Sequence, residues 1–124
     1  GLEEIGVGAF QGCKALKRIV IPPSVRRIDR AAFYGCYELA EVELCEGLEE
    51  IGEEAFHNCT SLKRMSLPSS LRRIGAKAFK DCISLRRITI PSSVRRIGSS
   101  AFWGCTGLVK VELCEGLQEI RNAA

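Results

Sequence analysis

The chain of 124 residues is predicted to form an α/β repeat solenoid, a coil of short parallel strands with one short helical turn per 23-residue repeat. Three observations carry that prediction. Cys13, Cys36, Cys59, Cys82 and Cys105 each stand 23 residues after the last, and Phe10, Phe33, Phe56, Phe79 and Phe102 precede them by three positions. Ala9, Ala32, Ala55, Ala78 and Ala101 keep the same interval, as do Leu16, Leu39, Leu62, Leu85 and Leu108, and Ile5, Ile28, Ile51, Ile74, Ile97 and Ile120. Finally, the repeat fills the whole of residues 1–124 with no linker, so one domain of about five repeats is expected.

Each element of the unit follows from its residues. In "LKRIVIPPSVRRIDRAAFYGC", residues 16–36, Ile19 and Ile21 alternate inward on a short strand, and Pro22-Pro23 ends it by removing two backbone donors. Val25 and Ile28 then point inward around an arginine pair as a second extended piece. "RAAFYGC" has room for a single helical turn, closed by Gly35 or by its relatives Gly12 and Gly104. Stacking such coils pairs each strand in parallel with its equivalent one repeat away, at about 4.8 Å. No coil buries its own apolar face, so stability resides in the columns. The end coils lack a polar cap, from which a fragment of a longer array is expected, with open edges prone to end-to-end self-association.

The composition is that of a folded domain, 46% hydrophobic and 27% charged. No run of about 18 apolar residues occurs, so no transmembrane segment is expected, and the first residues do not read as a signal peptide. A net charge of +3 is too small by itself to point to nucleic acid or membrane.

The pattern LxxhxhPxxhxxIxxxAFxxC, read in "LRRITIPSSVRRIGSSAFWGC" at 85–105, resembles the BspA-like leucine-rich repeats. The resemblance covers nearly the whole chain and implies a leucine-rich-repeat right-handed coil. It also implies a cell-surface or secreted setting, with adhesion or protein binding as the activity and no catalysis. The chain departs from that pattern where "LCEG" replaces the proline turn at 44–47 and 113–116, and in its paired arginines. Where other leucine-rich repeats carry an asparagine ladder, Ser24, Gly47, Ser70, Ser93 and Gly116 stand instead, and these small residues are expected to serve the turn.

Seven cysteines raise the question of disulfides. Five share one column, where side chains point the same way, so they are read as buried free thiols filling small apolar gaps, which fits a reducing compartment. Cys45 and Cys114 lie three repeats apart, roughly 15 Å, too far to bridge. There is no CxxC to suggest zinc, and no cofactor is expected. His57 occupies a position held elsewhere by Gln11, Tyr34, Lys80 and Trp103, and such a variable site is expected to face solvent. With no orienting group or oxyanion donor to accompany His57 and Cys59, an enzyme is not expected. Trp103 is read as a lone exposed aromatic partly packed on its turn.

Charge is where the repeats differ. Residues 14–30 carry six basic residues and one acidic, 38–54 carry eight glutamates and no basic residue, and 60–98 carry ten basic residues against Asp81 alone. Parallel stacking sets Glu49 between Arg26 and Arg72, Glu50 between Arg27 and Arg73, and Glu41 between Arg18 and Arg64, as ion-pair ladders that favour one register. The rule fails between 73 and 95. There Arg64 meets Arg87, Arg72 meets Arg95 and Arg73 meets Arg96, with Gln118 and Glu119 expected to relieve only the far side of Arg95 and Arg96.

That junction is a candidate site for an acidic protein segment, a sulfated glycan or a phosphate. Nucleic acid is not expected, because residues 60–98 interleave no aromatic platform with the arginines beyond the core residue Phe79. The other candidate surface is the first strand, whose outward positions Arg18, Val20, Glu41, Glu43, Arg64, Ser66, Arg87, Thr89, Lys110 and Glu112 vary while the core does not. The functions left in view are a non-catalytic protein-interaction module, a polyanion-binding adhesin using the arginines, and a structural spacer in a longer array.

Overall fold

The computed structural model describes residues 3–113 and 119–120. They form a β-solenoid of eleven short strands. One strand of each coil joins a continuous parallel sheet of six: β1 (Glu4–Ile5), β3 (Arg27–Ile28), β5 (Glu50–Ile51), β7 (Arg73–Ile74), β9 (Arg96–Ile97) and β11 (Glu119–Ile120). Every register step is 23 residues, as in Ile28 beside Ile51 and Ile51 beside Ile74. The other strands are β2 (Arg18–Ile21), β4 (Glu41–Leu44), β6 (Arg64–Ser66), β8 (Arg87–Ile90) and β10 (Lys110–Leu113).

This second face is not one sheet. β2 pairs with β4, and β8 pairs with β6 on one side and β10 on the other, but among the described residues no strand ladder joins β4 to β6. The expectation that every strand pairs with its equivalent therefore fails at one step. The interruption falls where Met65 enters a column otherwise built from the β-branched residues Ile19, Val42, Ile88 and Val111, the class that suits a pleated surface.

The expected helical turn is also corrected, since no helix occurs among the described residues. Residues such as 29–36 form overlapping β-turns instead, with the Ala32 N–H on the Asp29 carbonyl, the Tyr34 N–H on Ala31 and the Cys36 N–H on Phe33, at 3.1 to 3.2 Å. The intervening donors leave the coil: the Ala31, Phe33 and Gly35 N–H groups bond the carbonyls of Glu53, Ala55 and His57 on the next one, at 2.8 to 2.9 Å. An α-helix would need those same N–H groups for its own carbonyls four residues back. The turns require left-handed backbone at two places per coil. Gly12, Gly35, Asn58, Asp81 and Gly104 hold one of them with φ of 61° to 80°, and these are the residue types that tolerate it.

The core is the set of stacked columns. Phe33, Phe56 and Phe79 are fully buried, and the five phenylalanine rings lie nearly parallel with centroids 5.1 to 5.5 Å apart. Such pairs add about 0.5–1.5 kcal/mol each beyond their burial. Val25, Ile28, Leu39, Leu62 and Leu85 are fully buried, as their alternation predicts. Backbones approach closely beneath them. A Cβ on Gly75 would stand 2.6 Å from the Glu53 nitrogen, so this column admits no side chain there.

No helix among the described residues is long and apolar enough to cross a membrane. The column architecture carries a direct test. Phe56→Ala should destabilise the chain by about 3–5 kcal/mol in urea denaturation, whereas Phe10→Ala, at the partly buried end of the stack, should cost clearly less.

Candidate functional site

The predicted ion-pair ladders form in one direction only. Arg18 meets Glu41 at 3.5 Å, Arg26 meets Glu49 at 2.8 Å, and Arg27 lies 3.7 Å from both Glu4 and Glu50. Among the described residues, no ion pair within 4.0 Å continues from Glu41, Glu49 or Glu50 to Arg64, Arg72 or Arg73, although Glu50 and Arg73 are register neighbours. A carboxylate between two guanidinium groups settles on one of them, and these three glutamates settle on the coil before. Exposed pairs of this kind contribute about 0.2–1 kcal/mol each. The arginines of the third and fourth coils are left with little neutralisation from the second.

The like-charge contacts are present as register neighbours: Arg64 beside Arg87, and Arg73 beside Arg96. The six candidate arginines do not gather into one site, however. Arg64 and Arg87 belong to the strand face and line an open groove of about 590 Å³ together with Lys63, Ser66, Arg86 and Thr89. A neighbouring groove of about 570 Å³, spanning the unpaired edges of β4 and β6, brings Glu43 and Glu41 toward Arg64, Lys63 and Ser66. Arg72 and Arg95 line a separate groove of about 350 Å³ with Arg26, Glu49, Ser69, Ser70 and Ser93. Arg73 and Arg96 flank a shallow fourth, of about 240 Å³. Lys63 and Arg86 were not among the sequence candidates. Their signal was available, since they stand 23 residues apart, one immediately before β6 and the other immediately before β8.

His57 is buried, at 7% exposure, contrary to the expectation of a solvent-facing position. Its ring lies across Tyr34 at 4.6 Å, and its nitrogens face Glu54 Oε2 at 3.1 Å and Asp81 Oδ2 at 3.6 Å. Its column packs side chain on side chain, which variability alone does not reveal. Trp103 follows the same rule: it is 54% exposed, with the Lys80 ammonium 5.1 Å from its ring.

Cys13, Cys36, Cys45, Cys59, Cys82 and Cys105 are free thiols, as read from the sequence. Cys114, Gly116 and Gln118, which entered that reading, lie outside the described residues. The column has a function beyond filling space, because each thiol donates to the carbonyl of a phenylalanine on the preceding coil: Cys36 to Phe10, Cys59 to Phe33, Cys82 to Phe56 and Cys105 to Phe79, at 3.0 to 3.2 Å. Burial pushes the Cys36, Cys59 and Cys82 thiols above their ordinary value, and Cys105 up to about 11. These are inert thiols, the opposite of an activated nucleophile. No group of three His, Cys, Asp or Glu side chains among the described residues could hold a metal ion.

The small-residue column does more than close turns. The Ser70 hydroxyl donates to the Leu48 carbonyl at 2.7 Å and accepts the Gly47 N–H at 2.9 Å, which ties two coils together. Ser93, one coil on, has a buried hydroxyl with no partner among the described residues.

A parallel solenoid of 23-residue coils, with its cysteine, phenylalanine and leucine columns, defines a leucine-rich-repeat protein. More particularly, the chain belongs to the BspA type leucine-rich repeat family, whose model matches residues 2–124 in 6 copies. Among solved structures it is similar to the leucine-rich repeat protein of Treponema pallidum, at 36% identity over 94% of this chain and 65% of that one, with a TM-score of 0.85. It is similar to a leucine-rich cell surface protein of Faecalibacterium prausnitzii at 38% identity, over 91% of this chain and 30% of that one, with a TM-score of 0.87. A leucine-rich repeat protein from Bacteroides ovatus matches at 36% identity, over 87% of this chain and 34% of that one, with a TM-score of 0.73. The chain thus spans less than two-thirds of each of these relatives. No curated protein matches it.

Two measurements follow from the buried polar groups. Because the folded thiols keep their protons to higher pH than unfolded ones, the stability due to their burial is complete below the ordinary thiol pKa of about 8.5 and is lost as pH rises above it. The urea midpoint should therefore hold steady up to about pH 8 and fall beyond about pH 9, less steeply in a Cys59→Ala/Cys82→Ala variant. In the serine column, Ser70→Ala should cost about 1–2 kcal/mol, whereas Ser93→Ala, which removes an unsatisfied buried hydroxyl, should be neutral or stabilising in the same assay.

Proposed function

We propose that this chain is a non-catalytic protein-interaction or adhesion module that reads its partner with the strand face. The observation that carries this reading is the pair of adjoining grooves, of about 570 and 590 Å³, on that face. Their walls are outward side chains that change from coil to coil, among them Glu43, Arg64, Ser66, Arg87 and Thr89, over a core that does not change. Val20, 54% exposed beside Glu43 at the edge of the first groove, adds apolar contact to a face otherwise lined by charge. Leucine-rich repeats of this family generally serve interaction or adhesion, and the Faecalibacterium relative is described as a cell surface protein.

A second reading has its own support. Lys63, Arg64, Arg86 and Arg87 share one groove with no carboxylate in its lining, a setting suited to an acidic or sulfated ligand.

Peptides selected from a random displayed library on the wild-type chain should bind it and lose about tenfold or more in affinity to a Glu43→Lys/Ser66→Lys/Thr89→Glu variant, as measured by titration calorimetry. Selected peptides that bind this variant as well as the wild type would count against the strand-face reading. For the second reading, retention on a heparin column should fall steeply with salt and drop in Arg64→Ser/Arg87→Ser. Retention unchanged in that variant would remove the groove as the cause.

A further inference from the structure

The two grooves of the strand face differ in what they can hold. The one along β4 and β6 mixes carboxylates with cations and includes the exposed apolar Val20. The one of about 590 Å³ over β6 and β8 has neither feature. Lys63, Arg64, Arg86 and Arg87 line it with Ser66 and Thr89, and its two apolar residues, Met65 and Ile88, are buried in the core beneath. Every exposed side chain of this second groove is therefore a hydrogen-bond donor.

Its four cations form two stacked pairs. The ladder sets Arg64 beside Arg87, and the Arg86 N–H bonds the Lys63 carbonyl at 3.0 Å, so the main chain fixes both pairs at the strand spacing of about 4.8 Å. None of the four makes an ion pair within 4.0 Å among the described residues. The flanking strands do not supply one. Glu41 is taken by Arg18 at 3.5 Å, Glu112 is held by Lys110 of its own strand at 3.2 Å, and Glu43 lines the other groove. Like charges opposite one another in a ladder oppose the pairing, and an anion seated between them removes that cost.

We propose that this groove binds a sulfated glycan, with sulfate groups seated between the stacked cations and the Ser66 and Thr89 hydroxyls donating beside them. The proposal rests on the second reading above, of the groove as an anion site, and names its ligand. An acidic protein segment is the poorer fit. Protein partners are held by aromatic or aliphatic anchors in desolvated pockets, and no exposed apolar side chain lines this groove to receive one. A sulfated sugar needs no such anchor, since its sulfates carry charge and acceptor oxygens together. Three of the four cations are guanidinium groups, whose paired N–H donors match two oxygens of one sulfate.

The test follows a fluorescein-labelled heparin octasaccharide by fluorescence anisotropy, beside the same octasaccharide stripped of sulfate and an octaglutamate peptide. The wild type should bind the sulfated probe at least about tenfold more tightly than either carboxylate probe. Ser66→Glu, which copies Glu43 from the same column, should weaken that binding about tenfold with the circular dichroism melting temperature nearly unchanged. Arg64→Lys/Arg87→Lys keeps the charge but not the paired donors and should also weaken it, about threefold or more. Arg72→Ser/Arg95→Ser removes the same charge from another groove and should cost clearly less than Arg64→Ser/Arg87→Ser. Equal binding of the desulfated sugar or the peptide overturns the glycan proposal while the anion groove stands. Sulfated-probe binding unchanged in both Ser66→Glu and Arg64→Lys/Arg87→Lys overturns it as well. Binding of none of the three probes, or equal losses in the two Arg→Ser variants, removes the anion groove and the glycan proposal together.

Discussion

Every coil of this molecule depends on its neighbours for its backbone hydrogen bonds. The strands are two to four residues long and the turns between them send every second N–H out to the next coil, so an isolated coil would leave most of its polar backbone without partners. Buried groups of that kind are satisfied almost without exception, which makes the 23-residue register the controlling constraint. Given that register, identical residues fall on top of one another. The phenylalanine rings stack, and each cysteine thiol reaches a phenylalanine carbonyl one coil back, because the same geometry is repeated at every step. The apolar columns supply the driving force, and the hydrogen bonds between coils permit only one alignment of them.

That dependence explains what could be read from the chain in advance. A period in the sequence is a contact in the solenoid, so the buried columns, the parallel pairing and the family pattern were legible residue by residue: Ile28 on Ile51, Phe33 on Phe56, Arg64 beside Arg87. What escaped was whatever depends on the destination of a bond. "RAAFYGC" has a composition that suits a helical turn, and nothing local reveals that the N–H groups of Ala31, Phe33 and Gly35 are taken by the next coil. His57 sits in a column without a consensus, yet Tyr34 below and the carboxylates of Glu54 and Asp81 enclose it. Variation there marks changing partners within the stack, which from sequence alone looks the same as exposure.

The charged positions show the same limit. The register placed each glutamate midway between two arginines, but a carboxylate makes its short contact on one side, and Glu41 and Glu49 chose Arg18 and Arg26. The acidic coil therefore neutralises the coil before it more than the coil after it. The basic third and fourth coils face each other with that much less compensation. Sequence position already set Arg64 and Arg87 on the first strand and Arg72, Arg73, Arg95 and Arg96 on the second extended piece, and the fold keeps them apart: Arg64 and Arg87 lie on the interrupted strand face, whereas Arg73 and Arg96 lie on the continuous sheet. The six arginines are pairs on distinct grooves.

A solenoid that repeats its core so faithfully places its information in the departures, and the departures here share a location. Between the second and third coils the strand ladder is interrupted and a groove opens along unpaired strand edges. At the same step Glu46 crosses to the Ser69 corner, and the Ser70 hydroxyl takes up the Gly47 N–H and the Leu48 carbonyl. One coil later the Ser93 hydroxyl, equivalent to that of Ser70, has no partner among the described residues. The phenylalanine and cysteine columns run unbroken through the same step, so the core holds the register while the polar partners change.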